Sequence, residues 1–181
     1  VQSPQKLLKR VHKRIFNLLK RIAQPEYMFS GIKGKSNITN ALQHLSNKFV
    51  LKIDIEKFFS TTKDEKIYAF FYEKCKCSAR ISKILTELSH YQGVLPTGSP
   101  ISMVLAFWSH IDMFTEIEKI SKKFNVTMSV YVDDITFSTN NNSLNDLFLS
   151  TVRKIVERHG MRINSRKIRF YDEHDTKLIT G

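Results

Sequence analysis

The sequence predicts an α+β fold built on a four-stranded sheet in the ferredoxin-like, split βαβ order, and three observations carry that expectation. The stretch KFVLKIDI, residues 48–55, alternates strictly, with Phe49, Leu51, Ile53 and Ile55 on one face and Val50, Lys52 and Asp54 on the other. VTMSVYV and ITFST read as the strands of a hairpin with Asp133 and Asp134 at its tip. Setting aside one inserted helix, the elements run strand, helix, strand, strand, helix, strand. In that topology the first and third strands are central neighbours, so Asp54 and the hairpin tip can meet.

Taken in chain order, PQKLLKRVHKRIFNLLKRI places Leu7, Leu8, Val11, Ile15, Leu18, Leu19 and Ile22 at helical spacing. This predicts a helix from about Pro4 to Ile22 with its basic residues largely on the other face. That face is either solvated or in contact with nucleic acid, and both readings are open. After the first strand, TTKDEKIYAFFYEK opens with a capping box, Thr62 to Glu65, and continues as a helix. GVLPTGSP, residues 93–100, is a Gly/Pro loop that ends in Ser99 as N-cap and Pro100 as first helical residue. The helix it starts runs from about Ile101 to Lys122, with Val104, Leu105, Trp108, Ile111 and Phe114 on one side. Beyond the hairpin, a capped helix from Ser143 to His159 ends at Gly160. MRI and KIRFY predict a further strand or two, and KLIT starts another. No internal repeat, low-complexity tract or interdomain linker interrupts the chain.

Length and composition bound the function. With 181 residues the chain can be one domain with a sizeable core or a fragment of something larger. Lys and Arg number 29 against 17 acids, a net charge of +12 that favours a polyanionic partner over an acidic small molecule. The excess is concentrated: residues 1–35 carry nine basic residues and one acid, a net +8. Cys75 and Cys77 are too close for an ordinary disulfide, and no second Cys pair or His pair completes a zinc site. Reduced thiols, the lack of a long apolar run and the lack of a signal peptide predict a cytoplasmic protein that makes no use of a membrane.

The adjacent Asp133 and Asp134 have an ordinary explanation, because Asp favours turns by bonding nearby backbone amides. Three carboxylates gathered at a strand end and a neighbouring hairpin, however, repel one another unless a cation neutralises them. Hard oxygen ligands suit Mg²⁺ or Mn²⁺, which keep waters and take further ligands from phosphates. Two such ions can activate a 3′-hydroxyl and stabilise leaving pyrophosphate in an in-line displacement.

FVLKIDIEKFF, GVLPTGSPIS and YVDD resemble, in sequence and in order, the palm motifs of reverse transcriptases, and INSRKIRF with LITG resembles the motifs that follow. PEYMFSGIKGKSNITNALQHL is similar to the fingers of bacterial retron and group II intron-type enzymes. The resemblance spans nearly the whole chain. It implies a right-hand polymerase with fingers in residues 1–47, a palm in 48–181 carrying a fingers-like insertion at about 62–95, and no thumb. It implies RNA-directed DNA polymerisation with two Mg²⁺ or Mn²⁺ ions, in a retron or other phage-defence setting. The implied partners are an RNA template or structured non-coding RNA, a DNA or RNA primer, deoxynucleoside triphosphates, and a protein partner or second copy.

Residue by residue, the resemblance makes Asp54 and Asp133 the principal metal ligands, with Asp134 and Ile55 beside them. Phe59 matches the steric gate against a ribose 2′-hydroxyl, its alternative being core packing with Phe58. Pro96, Thr97 and Gly98 match the loop under nucleotide and template, with Thr97 where many relatives carry Gln. Lys167 matches the lysine that protonates pyrophosphate, and Lys33 and Lys35 fall where the fingers contact triphosphate or template. On charge pattern alone each of these lysines is as readily a solvated surface residue. Two other readings stand beside this one: template-independent nucleotide addition on the same fold, and a non-catalytic nucleic-acid-binding scaffold. An RNA-recognition module shares the element order but needs strand aromatics that are missing here.

Overall fold

The computed structural model describes residues 3–179. They form two compact units, one from the chain up to Gln24 together with Lys57–Ile111, the other from Pro25–Glu56 together with the chain from Asp112 onward.

The second unit is organised by the alternating stretch. Strand β1 (Phe49–Asp54) lies between β3 (Asp134–Thr139) and β4 (Arg169–Tyr171), and β2 (Thr127–Tyr131) flanks β3, giving the order β2-β3-β1-β4. Every neighbouring pair is antiparallel. The register sets Leu51 opposite Phe137 and Ile53 opposite Ile135, so these share one face, while Lys52 faces Thr136 and Asp54 faces Asp134 on the other. The apolar face packs on α8 (Asp146–Arg158), where the Phe148 ring meets Phe137 edge-on at 5.1 Å. Alternation predicts that only this face is buried, yet Val50 and Asp54 are buried too. The second face is covered from the segment after α2 (Asn37–Leu42): buried His44 sits 2.7 Å from Ser129 Oγ on β2 and 2.6 Å from Ser138 Oγ on β3.

Helix α8 starts later than predicted, because Asn145, rather than Ser143, accepts from the Phe148 amide as the cap. Its end is as predicted: Gly160 adopts φ 80°, its amide donates to Glu157 O, and Met161 N donates to Val156 O, closing a Schellman motif. MRI makes no strand of its own; Ile163 forms a single bridge to Ile55, and a 3₁₀ turn, Ser165–Lys167, follows before β4. Lys177, Leu178 and Ile179 are not in a strand, and Thr180 and Gly181 of the LITG motif lie outside the described residues.

The first unit is helical. Helix α1 spans Lys6–Leu19, shorter than predicted at both ends. Its buried stripe is His12, Ile15 and Leu19, whereas Leu7 and Leu18, assigned to the apolar face by spacing, are exposed. The short α3 (Phe58–Thr61) precedes α4 (Asp64–Ala69), and a wide π-turn, Phe70–Lys74, extends α4. The predicted capping box is not formed: Thr62 Oγ1 donates to Phe58 O at 2.7 Å and lies 3.2 Å from His110 Nε2, leaving Lys63 at the cap without a side-chain bond. After α5 (Ala79–Ser89) comes the loop, and then α6 (Ser102–Ser109), buried almost all round by Val104, Leu105, Ala106, Phe107 and Trp108. The single helix expected from about Ile101 to Lys122 is two, because the chain breaks at His110 before α7 (Ile111–Lys123). Helix α6 also begins two residues beyond Pro100, although Ser99 Oγ lies 3.4 Å from the Ile101 amide as an accepting cap, with its hydroxyl 2.7 Å from His12 Nδ1. Among the described residues no helix is long and apolar enough to cross a membrane.

Candidate active site

Asp54 ends β1 and Asp134 begins β3, and the two are direct register partners. Asp134 is therefore a strand residue rather than a tip residue, and the turn consists of Val132 and Asp133 alone. Val132 has φ 61°, a left-handed conformation that is strained for a β-branched side chain. The Ile55 amide donates to Asp133 O at 2.9 Å, which locks the turn against the end of β1. Three carboxylates thus share one corner of the sheet.

The electrostatics follow from that crowding. Burial, the largest cause, holds the Asp133 carboxyl above the usual carboxylate range, and the charges of Asp54 and Asp134 push it the same way. Two lysines offset the negative charge: Lys167 Nζ donates to Asp54 Oδ2 at 2.8 Å, and Lys52 Nζ lies 3.2 Å from Asp134 Oδ2. The bond to Asp54 raises the Lys167 pKa, with the charges of Asp54, Asp133 and Asp134 adding to it. Lys167 arrives there because Asn164 caps the 3₁₀ turn through its side chain, while the Asn164 amide donates to Asp54 O at 2.9 Å. Sequence placed Lys52 on the face of Asp54 without giving it a role; its spacing of two along β1 was the available signal.

Among the described residues no three or more His, Cys, Asp or Glu side chains converge to hold a metal ion. The donor chemistry nevertheless suits a hard divalent cation: carboxylate oxygens on adjacent strands, mutually repulsive, with lysine ammonium groups paired to two of them.

The remaining expected residues divide as follows. Lys33 is exposed in the sheet's unit, but Lys35 is engaged: its ammonium donates to Met28 O at 2.8 Å and to Glu26 O, and lies 4.4 Å from the Phe29 ring centre. Burial lowers its pKa. These bonds fasten the 31–36 loop to the segment that runs beside β2, where Phe29 N donates to Val130 O at 2.9 Å. In the helical unit, Phe58 is buried and Phe59 only half-buried, their rings edge-on at 5.8 Å. Pro96 is buried, Thr97 exposed and Gly98 partly exposed.

The chain matches, over residues 2–179, the family model described as reverse transcriptase (RNA-dependent DNA polymerase). Among its relatives, the Retron Ec86 reverse transcriptase of Escherichia coli is 26% identical over 165 residues, which cover 91% of this chain and 51% of that protein. The Retron Ec83 reverse transcriptase of the same organism is 27% identical over 197 residues, covering 100% of this chain and 62% of that one. The chain thus spans between half and two thirds of the length of these two relatives. In fold it is similar to apo telomerase from Candida tropicalis, with a TM-score of 0.60 at 9% identity, covering 96% of this chain and 37% of that one.

Proposed function

The chain belongs to the reverse transcriptase (RNA-dependent DNA polymerase) family, and from that premise we propose that it forms the fingers and palm of a retron-type RNA-directed DNA polymerase. The observation that carries this reading is the meeting of Asp54, Asp133 and Asp134 at one corner of the sheet, in a basic chain of net charge +12. The order β2-β3-β1-β4 with antiparallel neighbours supports a ferredoxin-like palm within residues 48–181. Helix α1 and the insertion at about 62–95 fall in one unit, which supports assigning both to the fingers; residues 25–47, assigned to the fingers by resemblance, fall in the unit of the sheet.

In this reading Asp54 and Asp133, with Asp134 and the Ile55 position beside them, hold two Mg²⁺ or Mn²⁺ ions. When bound, these ions supply activation of the primer 3′-hydroxyl and stabilisation of leaving pyrophosphate. Asp54 Oδ2 accepts from Lys167, so the same carboxylate that would hold a cation also positions this lysine at the site. Lys167, largely exposed, would give a proton to leaving pyrophosphate. Phe59 keeps part of its ring outside the core and excludes a 2′-hydroxyl, so the substrates are deoxynucleoside triphosphates. Pro96, Thr97 and Gly98 meet the incoming nucleotide and template, and Lys33 supplies positive charge to phosphates. Lys35 serves the same region indirectly, by holding the loop that carries Lys33. The template is RNA, free or structured, the primer is DNA or RNA, and the setting is a cytoplasmic retron or related defence system.

The test is primer extension by the full-length protein with its co-purified RNA, followed by sequencing of the products. Products complementary to the RNA are expected, and products unrelated to it indicate untemplated addition. Asp133→Asn should lower incorporation by about a thousandfold, since metal charge stabilisation amounts to several kcal/mol. Unchanged incorporation by that variant, with folding intact, overturns the assignment.

A further inference from the structure

The Pro96–Ser99 loop has no regular secondary structure, so something other than a backbone ladder must fix its shape. Two side chains do so. Ser102 Oγ, in the first turn of α6, donates to the Pro96 carbonyl. The Ser99 hydroxyl lies 2.7 Å from Nδ1 of His12, which is 87 residues away in sequence on α1.

His12 is almost completely buried, at 2% exposure, in the same stripe of α1 as Ile15 and Leu19. Its other ring nitrogen, Nε2, is 2.6 Å from the carbonyl oxygen of Leu88, near the end of α5. A carbonyl oxygen can only accept, so Nε2 carries the proton. In the neutral ring Nδ1 is then an acceptor, and the Ser99 hydroxyl donates to it. Ser99 Oγ in turn accepts from the Ile101 amide at 3.4 Å. The ring is therefore a strut with a defined direction, from α5 through α1 to the loop.

A cleft of about 350 Å³ lined by Pro4, Leu8, His12, Leu88, Tyr91 and Pro96 runs alongside the ring. Pro96 and Ser99 are buried while Thr97 is exposed, so the hydrogen bonds act with packing at the two ends of the loop to set the shape of its exposed middle. On the opposite side of α1, Lys9, Arg10, Lys13 and Arg14 are exposed. The same helix thus faces solvent with charge and grips the loop with an imidazole.

We infer that His12 is a positioning residue for polymerisation, holding the Pro96–Ser99 loop through Ser99 in the shape that receives the incoming nucleotide. This rests on the assignment of that loop to nucleotide and template under the proposed function. The experiment uses the full-length protein with its co-purified RNA and measures KM and kcat for deoxynucleotides, together with hydrogen exchange of the 97–102 amides. Ser99→Ala and His12→Gln should each raise the nucleotide KM about five- to tenfold, with kcat within about twofold and faster exchange in the loop. Ser99→Thr keeps the hydroxyl and should restore KM. The double variant should be no worse than His12→Gln alone, since that variant already lacks the Ser99–His12 bond. Additive effects, or a normal KM and normal loop exchange in Ser99→Ala, overturn the inference even if His12→Gln fails to fold. The underlying reading fails differently: a wild-type protein that incorporates no nucleotide removes the loop's assignment and the positioning role with it, whereas active wild type with a normal KM in Ser99→Ala sinks the positioning role alone.

Discussion

Phe59 is half-exposed beside a buried Phe58, a placement that suits the gate expected from the resemblance and is equally met by a ring packed at the core's margin. The two readings differ in what a smaller side chain does. On the gate reading, Phe59→Val is expected to raise ribonucleotide use relative to deoxynucleotide use by about tenfold or more, the value of one well-placed contact in a discriminating site. An unchanged ratio with a lowered Tm assigns the ring to packing. His44 makes a different kind of prediction. Burial pushes its pKa from 6.5 down to about 4, so the folded state resists a proton that the unfolded chain accepts. The neutral ring's contribution is complete above pH 6.5 and is lost as pH falls from there toward 4, by about 3 kcal/mol in all. Denaturant unfolding across that range should show the loss, and His44→Gln should flatten it. An equally steep profile in the variant would place the acid sensitivity elsewhere.

At the scale of elements, α1 presents two faces that helical periodicity superimposes on one segment. The stripe Leu8, His12, Ile15, Leu19 follows the helical repeat, and a polar residue inside that repeat was the available sign that His12 faces inward. The outward face offers Lys9, Arg10, Lys13 and Arg14. If this face grips a nucleic-acid backbone, neutralising all four should weaken binding across unrelated sequences and flatten its salt dependence by about 0.7 to 0.9 per lost phosphate contact. A quadruple variant with an unaltered salt slope would leave the face solvated or matched to a protein. The β2–β3 hairpin shows the opposite economy. A two-residue turn with positive φ only at Val132 brings Asp133 to the corner where Asp54 and Asp134 pair, at a cost in backbone strain that a glycine would have avoided.

Taken whole, the chain carries +8 of its +12 charge in residues 1–35, away in sequence from the three carboxylates Asp54, Asp133 and Asp134 at one corner of the sheet, and under the proposed function affinity and chemistry rest on different residues. Removing divalent ions with EDTA should therefore stop nucleotide incorporation while leaving nucleic-acid affinity at fixed ionic strength within about twofold. Loss of both together would mean that the ions organise the binding surface rather than the reaction.

Strand β1, the hairpin and the Gly160 stop of α8 were legible in the sequence because each rests on local physics, and the sheet neighbours followed from the order of the elements. A period of two marks a strand, and a glycine at positive φ ends a helix whatever surrounds it. The resemblance added expected roles for Asp54 and Asp133; the sheet pairs Asp54 with Asp134 and leaves Asp133 in the adjoining turn. Tertiary structure alone decided the rest. Thr62 carries sound capping chemistry yet spends its hydroxyl on Phe58 O within reach of His110, and Ser99, while accepting from the Ile101 amide, gains a second partner in His12 that no local pattern announces. Lys35 could have reached a phosphate and instead fastens its own loop. Val50 is buried on a face that alternation assigns to solvent, where His44 from the chain after α2 bonds Ser138, its register partner, and Asp54 is buried where the 164–167 turn closes on the end of β1. In each case several partners lie within a side chain's chemical range, and only the path of the backbone determines which one is within 3 Å.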